Sequence, residues 1–173
     1  EDMALITEPS RAAAPAAPAL VHGQDTLPRL FRHVVRERGE RVAMREKHLG
    51  IWRGISWREY GERAKHVGLG LVALGLRPRD VVSIIADNMP EWLYTDLGVM
   101  SVAGVPNGIY TTDSAKQVEY IVSDSGTRFV FAENEEQLDK LLEVRARCPA
   151  LVVPFARAGE SEYVRYDRAI AEA

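Results

Sequence analysis

The sequence predicts an α/β fold: a mostly parallel, doubly wound sheet with flanking helices, preceded by a β-hairpin. From the middle of the chain onwards, apolar strands begin about 23 residues apart. The segments between them have helical periodicity, and strands that alternate with helices form a parallel sheet through right-handed crossovers. The strand runs are almost continuously apolar, which is typical of strands covered on both faces. The strands begin at Val81, Val105, Arg128 and Leu151, and the helices span Met89–Ala103, Ser114–Ser125 and Asn134–Arg147.

Two capped helices are expected before the sheet. Thr26 would cap the first, which Gly39 closes. Ser56 and Glu59 form a capping-box pattern at the start of the second, and Gly75 stops it. The apolar stripe of the first helix is Leu27, Leu30, Phe31, Val34 and Val35. The buried stripe predicted for the second is Tyr60, Ala64, Val67, Leu71 and Leu74.

A β-hairpin is predicted between these two helices. Val42–Lys47 and Ile51–Ile55 have strand character, and His48–Gly50 joins them. Trp52 and Trp57 flank the end of the hairpin, and we expect them to pack it onto the second helix.

The helix after the first sheet strand has its own start and stop signals. Asn88 can cap it through its side-chain oxygen, Pro90 fits the first turn, and Glu91 completes a pattern like a capping box. Gly104 is expected to end it. Its predicted apolar face is formed by Leu93, Leu97 and Met100, with Trp92 and Val99 beside them.

The 173 residues are enough for one domain with a real core. Residues 1–25 are rich in Ala and Pro without periodicity, and we expect a loose arm there. Residues 26–173 would form the α/β unit. Because Tyr163–Ala173 has the pattern of a helix cut short, we expect the N-terminal subdomain of a larger protein, with the remainder of that polypeptide as its partner.

The composition excludes several classes of protein. A formal net charge of −3 gives no support for nucleic-acid binding. One cysteine, Cys148, rules out an internal disulfide framework and a cysteine metal cluster, and it fits the reducing cytoplasm, where we expect the protein. We identify no amphipathic basic helix that would support contact with a membrane surface. Neither such contact nor homo-oligomerisation is decided by the sequence.

Short motifs that could carry chemistry have simpler explanations. Gly68-Leu69-Gly70 falls inside a predicted helix, so close packing of that helix on the sheet is favoured over dinucleotide binding. Ser123 lacks the surroundings of a nucleophile elbow, and Cys148 at a helix end should be an inert thiol. The four histidines have no metal-ligand spacing. We therefore predict no catalytic residue and no metal ligand in this chain.

The loop Tyr110–Asp113 has the strongest claim to ligand contact. It follows the C-terminal end of a predicted parallel strand, where open α/β sheets place their ligands. Asp113 could instead cap the next helix, and the sequence favours that simpler role. Further along, Glu133–Glu136 places acids in the first turn of a helix, which suits the helix macrodipole better than a metal site.

Three segments, in this order, carry a family resemblance. They are SWREYGERAKHVGLGLVALGLRPRDVVSII, DNMPEWLYTDLGVMSVAGVPNGIY and QVEYIVSDSGTRFVFAE. Their order and spacing resemble the N-terminal region of the acyl-adenylate-forming (AMP-binding) superfamily, from about Leu27 to the end of the chain. Within it, GIYTT followed by YIVSDS and the ENEEQLDK helix is most similar to the long-chain fatty acid CoA ligases.

The resemblance implies a two-step reaction that uses ATP, Mg²⁺ and CoA. A fatty acid carboxylate and ATP give an acyl-adenylate and pyrophosphate, and the CoA thiol then displaces AMP. The phosphate loop, the adenine-binding segment, the ribose contact and the lid lysine of the family are not found in this sequence. Adenylation needs donors and cations aimed at the α-phosphate. We therefore expect an N-terminal fragment of a fatty acyl-CoA synthetase that is inactive alone.

The resemblance also points to two candidate binding residues. In some CoA-forming relatives, residues aligned with Thr111 and Thr112 lie beside the CoA nucleotide, which places these threonines on the CoA side. Arginines aligned near Glu133–Gln137 clamp its phosphate in those relatives, whereas this segment is acidic here.

Two alternatives stay open. One is a stand-alone, non-catalytic α/β binding or interaction domain, flavodoxin-like in pattern. The other is a fragment of another adenylate-forming enzyme, such as an aryl-CoA ligase or a peptide synthetase adenylation domain. The interrupted helix pattern of Tyr163–Ala173 favours a fragment over the stand-alone domain.

Overall fold

The computed structural model describes residues 20–148 and 151–154. The helices are α1 Leu27–Arg38, α2 Trp57–Ala73, α3 Pro90–Ser101, α4 Ala115–Asp124 and α5 Glu135–Val144. The strands are β1 Val42–His48, β2 Ile51–Ser56, β3 Val81–Ile85, β4 Val105–Ile109, β5 Thr127–Ala132 and β6 Leu151–Pro154. Most of the predicted arm and the predicted Tyr163–Ala173 helix lie outside the described residues.

Four parallel strands form the main sheet, in the order β4-β3-β5-β6. At the centre, Val82 of β3 lies between Pro106 of β4 and Phe129 of β5. The chain runs outward from β3 to β4 and then crosses to the other side of β3 to form β5. The order therefore reverses between β3 and β5, which is the switch point where sheets of this kind open a crevice. The predicted fold class is confirmed.

Both faces of the sheet are covered, which explains the nearly continuous apolar strands. Val82 and Ile84 of β3 face α2 and α3, whereas Ile85 faces α4 and α5. The first core contains Ile55, Tyr60, Ala64, Val67, Leu71, Leu76, Val82, Ile84, Tyr94, Leu97, Val99, Phe129 and Phe131. The second contains Ile85, Ile109, Val118, Val122, Val130, Ala132, Leu141, Val144 and Cys148.

A buried polar cluster lies among these apolar strands. The Ser83 hydroxyl is fully buried and lies 2.7 Å from the Thr127 hydroxyl. Asn107 donates its amide to Ser83 at 3.1 Å, and Ser125 lies 2.7 Å from Thr127. Because each hydroxyl has a partner, the cluster avoids the cost of burying an unpaired polar group.

α2 begins with only half of the predicted capping box. The Ser56 hydroxyl accepts from the Glu59 backbone N–H at 3.1 Å, but the Glu59 carboxylate binds Arg53 at 2.8 Å instead of returning to the cap. At the other end, the predicted stripe residue Leu74 is 42% exposed. Leu76, beyond the Gly75 turn, is buried and fills that place in the core.

The two glycines of the Gly68-Leu69-Gly70 motif lie inside α2, as predicted, but the close neighbour is a helix rather than the sheet. Gly68 packs against the backbone of Gly98 on α3. At Gly68 the predicted close approach of α2 to the sheet is therefore wrong in its partner, which is α3.

α3 differs from its prediction at its start, at its end and in its buried face. Met89, not Asn88, occupies the cap position with extended backbone, and no side chain caps the helix; Pro90 begins it. Near the end, Ala103 rather than Gly104 takes the left-handed conformation, with φ +61°. The predicted face residue Leu93 is 40% exposed. The buried residues are Tyr94, Thr95, Leu97, Gly98 and Val99, because α3 packs on α2 as well as on the sheet.

α1 lies on α2 through a half-buried apolar face. Phe31 meets Tyr60 edge-on, with ring centroids 4.6 Å apart. Gly39 ends the helix with φ +39°, as predicted. The Thr26 side chain makes no capping hydrogen bond, so its predicted role is wrong although it holds the cap position. Arginines at positions 29, 32, 36 and 38 make α1 basic and amphipathic, contrary to the sequence interpretation. Phe31, on its apolar face, packs against the core that contains Tyr60 of α2.

The hairpin is confirmed, with β1 and β2 antiparallel around a turn at Leu49 and Gly50. Trp57, the first residue of α2, packs beside Phe31 and Tyr60, with ring centroids 6.4 Å and 6.1 Å away, so these ring contacts join α1 to α2 rather than the hairpin to α2. Trp52 does not pack the hairpin onto α2, since it is 64% exposed. Within the described residues, no helix has the length and apolar composition needed to cross a bilayer.

Candidate functional site

The carboxyl ends of β3, β4 and β5 share one edge of the sheet, and polar residues follow each strand there. Asp87 lies two residues beyond β3, Thr111 two residues beyond β4, and Glu133 directly after β5. Since β3 and β5 flank the switch point, this edge is where the fold can accept a ligand.

Hydrogen bonds join the three strand ends. The Thr111 hydroxyl donates to Asp87 Oδ1 at 2.8 Å. The Asp87 backbone N–H donates to Glu133 Oε2 at 2.7 Å, across the switch point. The Glu133 backbone N–H donates in turn to the Ile85 carbonyl at 3.0 Å. The loops after the strands therefore form one connected network.

Lys140 adds a cation to this network from α5. Its Nζ donates to the Thr111 carbonyl at 2.6 Å and to Gln137 Oε1 at 3.0 Å. The Lys140 side chain is only 18% exposed, and Glu136 lies 3.6 Å from its Nζ. The Asn134 side chain caps α5 through the Gln137 backbone N–H and fixes the helix end that presents the lysine. Lys140 thus anchors the loop that contains Thr111.

A cleft of about 390 Å³ opens beside the network. Its lining includes Asp87 and Asn88, which follow β3, and Tyr110 and Thr111, which follow β4. Trp92 lines both this cleft and a second cleft of about 480 Å³, which lies between the hairpin and the start of α3. The lining offers hydroxyl, amide and aromatic surfaces, which suit the binding and orientation of a polar ligand.

The two threonines implied by the family resemblance lie on the same loop but differ in their surroundings. Thr111 is partly buried and uses its hydroxyl to bind Asp87. Thr112 is exposed. Their predicted role beside CoA stays a prediction. Asp113 does not cap α4, because Ser114 does so in a complete capping box with Gln117.

Sequence reasoning missed Asp87 and Lys140 as parts of this edge, and it gave Glu133 only a role in the start of a helix. Asp87 and Glu133 follow strands closely, and that position was a usable signal. Lys140 lies in the second turn of α5, where only the packing of that helix brings it to Thr111.

The other residues considered for chemistry lie away from this edge. Cys148 is buried, with its Sγ 3.3 Å from the Ser123 hydroxyl. In residues 20–148 and 151–154, no group of three or more His, Cys, Asp or Glu side chains is placed to hold a metal ion. Burial raises the pKa of Tyr60 and of Tyr94 to about 12, so both phenols stay neutral in the core between α2 and α3.

Sequence comparisons identify the relatives of this chain. Residues 31–169 match the family model described as AMP-binding enzyme. The long-chain-fatty-acid–CoA ligase ACSBG2 of Xenopus laevis is 32% identical over 73% of this chain and 17% of its own length. The corresponding ligase ACSBG1 of Homo sapiens is 30% identical over 79% of this chain and 18% of its own length. The chain thus spans less than a fifth of these relatives.

Solved structures agree with the fold. An acyl-CoA synthetase from Brucella canis has a TM-score of 0.68 and 26% identity, over 78% of this chain and 25% of its own. An anthranilate CoA ligase, AuaEII, has a TM-score of 0.73 at 21% identity, over 84% of this chain and 27% of its own, which shows likeness of fold. The family match over most of the chain and the curated relatives show that this chain belongs to the AMP-binding enzyme family, as an acyl-CoA-ligase-like N-terminal part.

Proposed function

We propose that the complete polypeptide containing this chain is an ATP-dependent long-chain fatty acid–CoA ligase. The observation that carries the proposal is the identity of 30% or more with long-chain-fatty-acid–CoA ligases over about three quarters of the chain. The net charge of −3 and the single buried thiol agree with a cytoplasmic enzyme rather than a nucleic-acid-binding protein.

The proposed reaction has two steps. In the first, a fatty acid carboxylate oxygen attacks the α-phosphorus of ATP, forming the acyl-adenylate and releasing pyrophosphate. In the second, the CoA thiol attacks the acyl carbon, forming the thioester and releasing AMP, while the thiol proton passes to solvent. The described residues offer no metal-binding group, so the Mg²⁺ that the family implies is assigned to none of them.

This chain contributes one wall of the CoA-binding site. The loop after β4 presents the exposed side chains of Tyr110 and Thr112, and the network from Asp87 to Lys140 keeps that loop in place. The acidic start of α5 disfavours a phosphate clamp at Glu133–Gln137. We assign the contact with CoA to the loop itself rather than to that segment.

The test is ATP–pyrophosphate exchange by the full-length product of the gene, with a panel of carboxylic acids. Long-chain fatty acids should support exchange, and aryl acids and amino acids should not. Exchange with an aryl acid alone would favour an aryl-CoA ligase, and exchange with an amino acid alone would favour a peptide synthetase. No exchange with any acid would favour a non-catalytic binding domain. Residues 1–173 alone should support no exchange, because adenylation needs groups aimed at the α-phosphate.

A further inference from the structure

The tip of the β1–β2 hairpin carries apolar side chains that the fold does not use. Leu49 is 89% exposed, Ile51 74% and Trp52 64%. Single exposed apolar residues are ordinary on protein surfaces, but here three lie within four consecutive positions of one projecting turn. Burial in this domain therefore does not account for them.

The backbone does not account for Leu49 either. Leu49 has φ +48° and Gly50 has φ +82°, the left-handed conformations of a two-residue hairpin turn. Asn-Gly is the preferred pair at such a turn, because Asn tolerates the left-handed region and a branched apolar residue such as leucine does so poorly. Leucine at this position is unfavourable for the backbone and exposes its side chain to water, so a role outside folding is indicated.

Positive charge surrounds the apolar tip. The hairpin has three exposed cationic side chains, which are Arg45 and Lys47 on β1 and Arg53 on β2. It has one acidic residue, Glu46. Arg53 is held by Glu59 at 2.8 Å, near the base of the hairpin. Apolar and aromatic side chains with cations behind them suit the boundary between anionic headgroups and acyl chains.

The shape of the tip also favours a lipid surface over a protein partner. A stable protein interface buries about 1,200–2,000 Å² in total, more than a tip of four residues can supply. A bilayer surface needs only a few inserted side chains together with cations that face anionic lipid.

We propose that the hairpin tip, residues 49–52, docks the protein on an anionic lipid surface. Leu49, Ile51 and Trp52 enter the headgroup boundary, and Arg45 and Lys47 face the lipid phosphates. The inference does not depend on the ligase activity, since lipid binding is measured without turnover.

The experiment is cosedimentation of the full-length gene product with vesicles of phosphatidylcholine, with and without phosphatidylglycerol. The wild type should bind the anionic vesicles and not the neutral ones. Leu49→Asn should weaken binding by about tenfold, as expected for loss of a leucine side chain that becomes buried when the protein binds lipid. The same variant should have an unchanged or higher melting temperature, because Asn suits this turn. Leu69→Gln, at an exposed leucine of α2, is the matched control and should bind like the wild type.

Three outcomes would overturn the proposal. The first is no binding of the wild type, as expected if another part of the polypeptide or a second copy covers the tip. The second is equal binding of wild type and Leu49→Asn. The third is equal binding to neutral and anionic vesicles, because the cations would then have no role. Failure of pyrophosphate exchange with normal vesicle binding would count against the ligase proposal alone.

Discussion

Gly98 of α3 lies directly against the backbone of Ala64 on α2: a Cβ atom added at Gly98 would be 2.7 Å from the Ala64 carbonyl oxygen. The same atom would be 2.9 Å from Val67 Cβ. Real Cβ atoms do not approach other atoms this closely. The absence of a side chain at Gly98 therefore sets the distance between the two helices that cover one face of the sheet.

Gly98→Ala should lower the free energy of unfolding by about 1–3 kcal/mol, because the added methyl group meets backbone that cannot move freely. This figure is the net loss, after subtraction of the roughly 1 kcal/mol by which alanine is favoured over glycine in a helix. Urea unfolding measures the change. The control is Gly61→Ala. The three atoms nearest to its added Cβ all belong to the half-buried Val35 side chain rather than to backbone, so its loss of stability should be smaller. Equal stability of Gly98→Ala and wild type would show that the helices are not in close contact.

Lys140→Met in the full-length enzyme should raise KM for CoA several-fold and leave ATP–pyrophosphate exchange unchanged. The reason is that Lys140 holds the Thr111 carbonyl, and a charged hydrogen bond of this kind contributes about 1.5–3 kcal/mol. Steady-state kinetics of thioester formation and exchange kinetics separate the two steps. Lys116→Met, on the exposed side of α4, is the control and should alter neither. A parallel loss of exchange would place Lys140 in a general structural role.

Asp96→Asn should stabilise the fold at pH 7. Burial raises the pKa of the Asp96 carboxyl above its ordinary value of 3.8, so holding the charged form in the folded state has a cost. A neutral amide avoids that cost. The advantage should shrink as the pH falls through the raised pKa and vanish below 3.8, where the carboxyl is protonated in both states. Urea unfolding across this range measures it, and an advantage independent of pH would contradict the explanation.

Asp80→Ala should show the opposite dependence on pH. The Arg77 backbone N–H, 2.7 Å from Asp80 Oδ2, and the Arg128 guanidinium lower the pKa of the Asp80 carboxyl below 3.8. The stabilisation is therefore complete above 3.8 and is lost as the pH falls through the lowered value. Wild type should be more stable than the variant at neutral pH, and the two should converge in acid. Thermal unfolding at graded pH tests this, and a gap that persists in strong acid would disprove the role of the charge.

The sheet and the hairpin could be predicted because each strand has a local signal. The apolar runs from Val81 and Arg128 and the Leu49-Gly50 turn need no knowledge of neighbours to be identified. The buried face of α3 could not be predicted as well. Leu93 fits the helical stripe, but α3 is covered by α2 as well as by the sheet, so Tyr94 and Gly98 are buried instead. Helices with two buried sides lose the periodicity that predicts a single face.

The candidate site could also be predicted only in part. The loop containing Thr111 was predicted because parallel strands place ligands at their carboxyl ends. The partners of that loop depend on tertiary packing: Lys140 belongs to a helix that starts after the next strand, and Asp87 precedes α3. No spacing along the chain relates these three residues.

Thioester formation is the most direct test of the central claim. The full-length gene product, incubated with ATP, Mg²⁺, CoA and a long-chain fatty acid such as palmitate, should form palmitoyl-CoA and AMP in equal amounts, as detected by mass spectrometry. Omission of ATP should abolish the product. A purified, folded full-length protein that forms no thioester with any long-chain fatty acid would contradict the account.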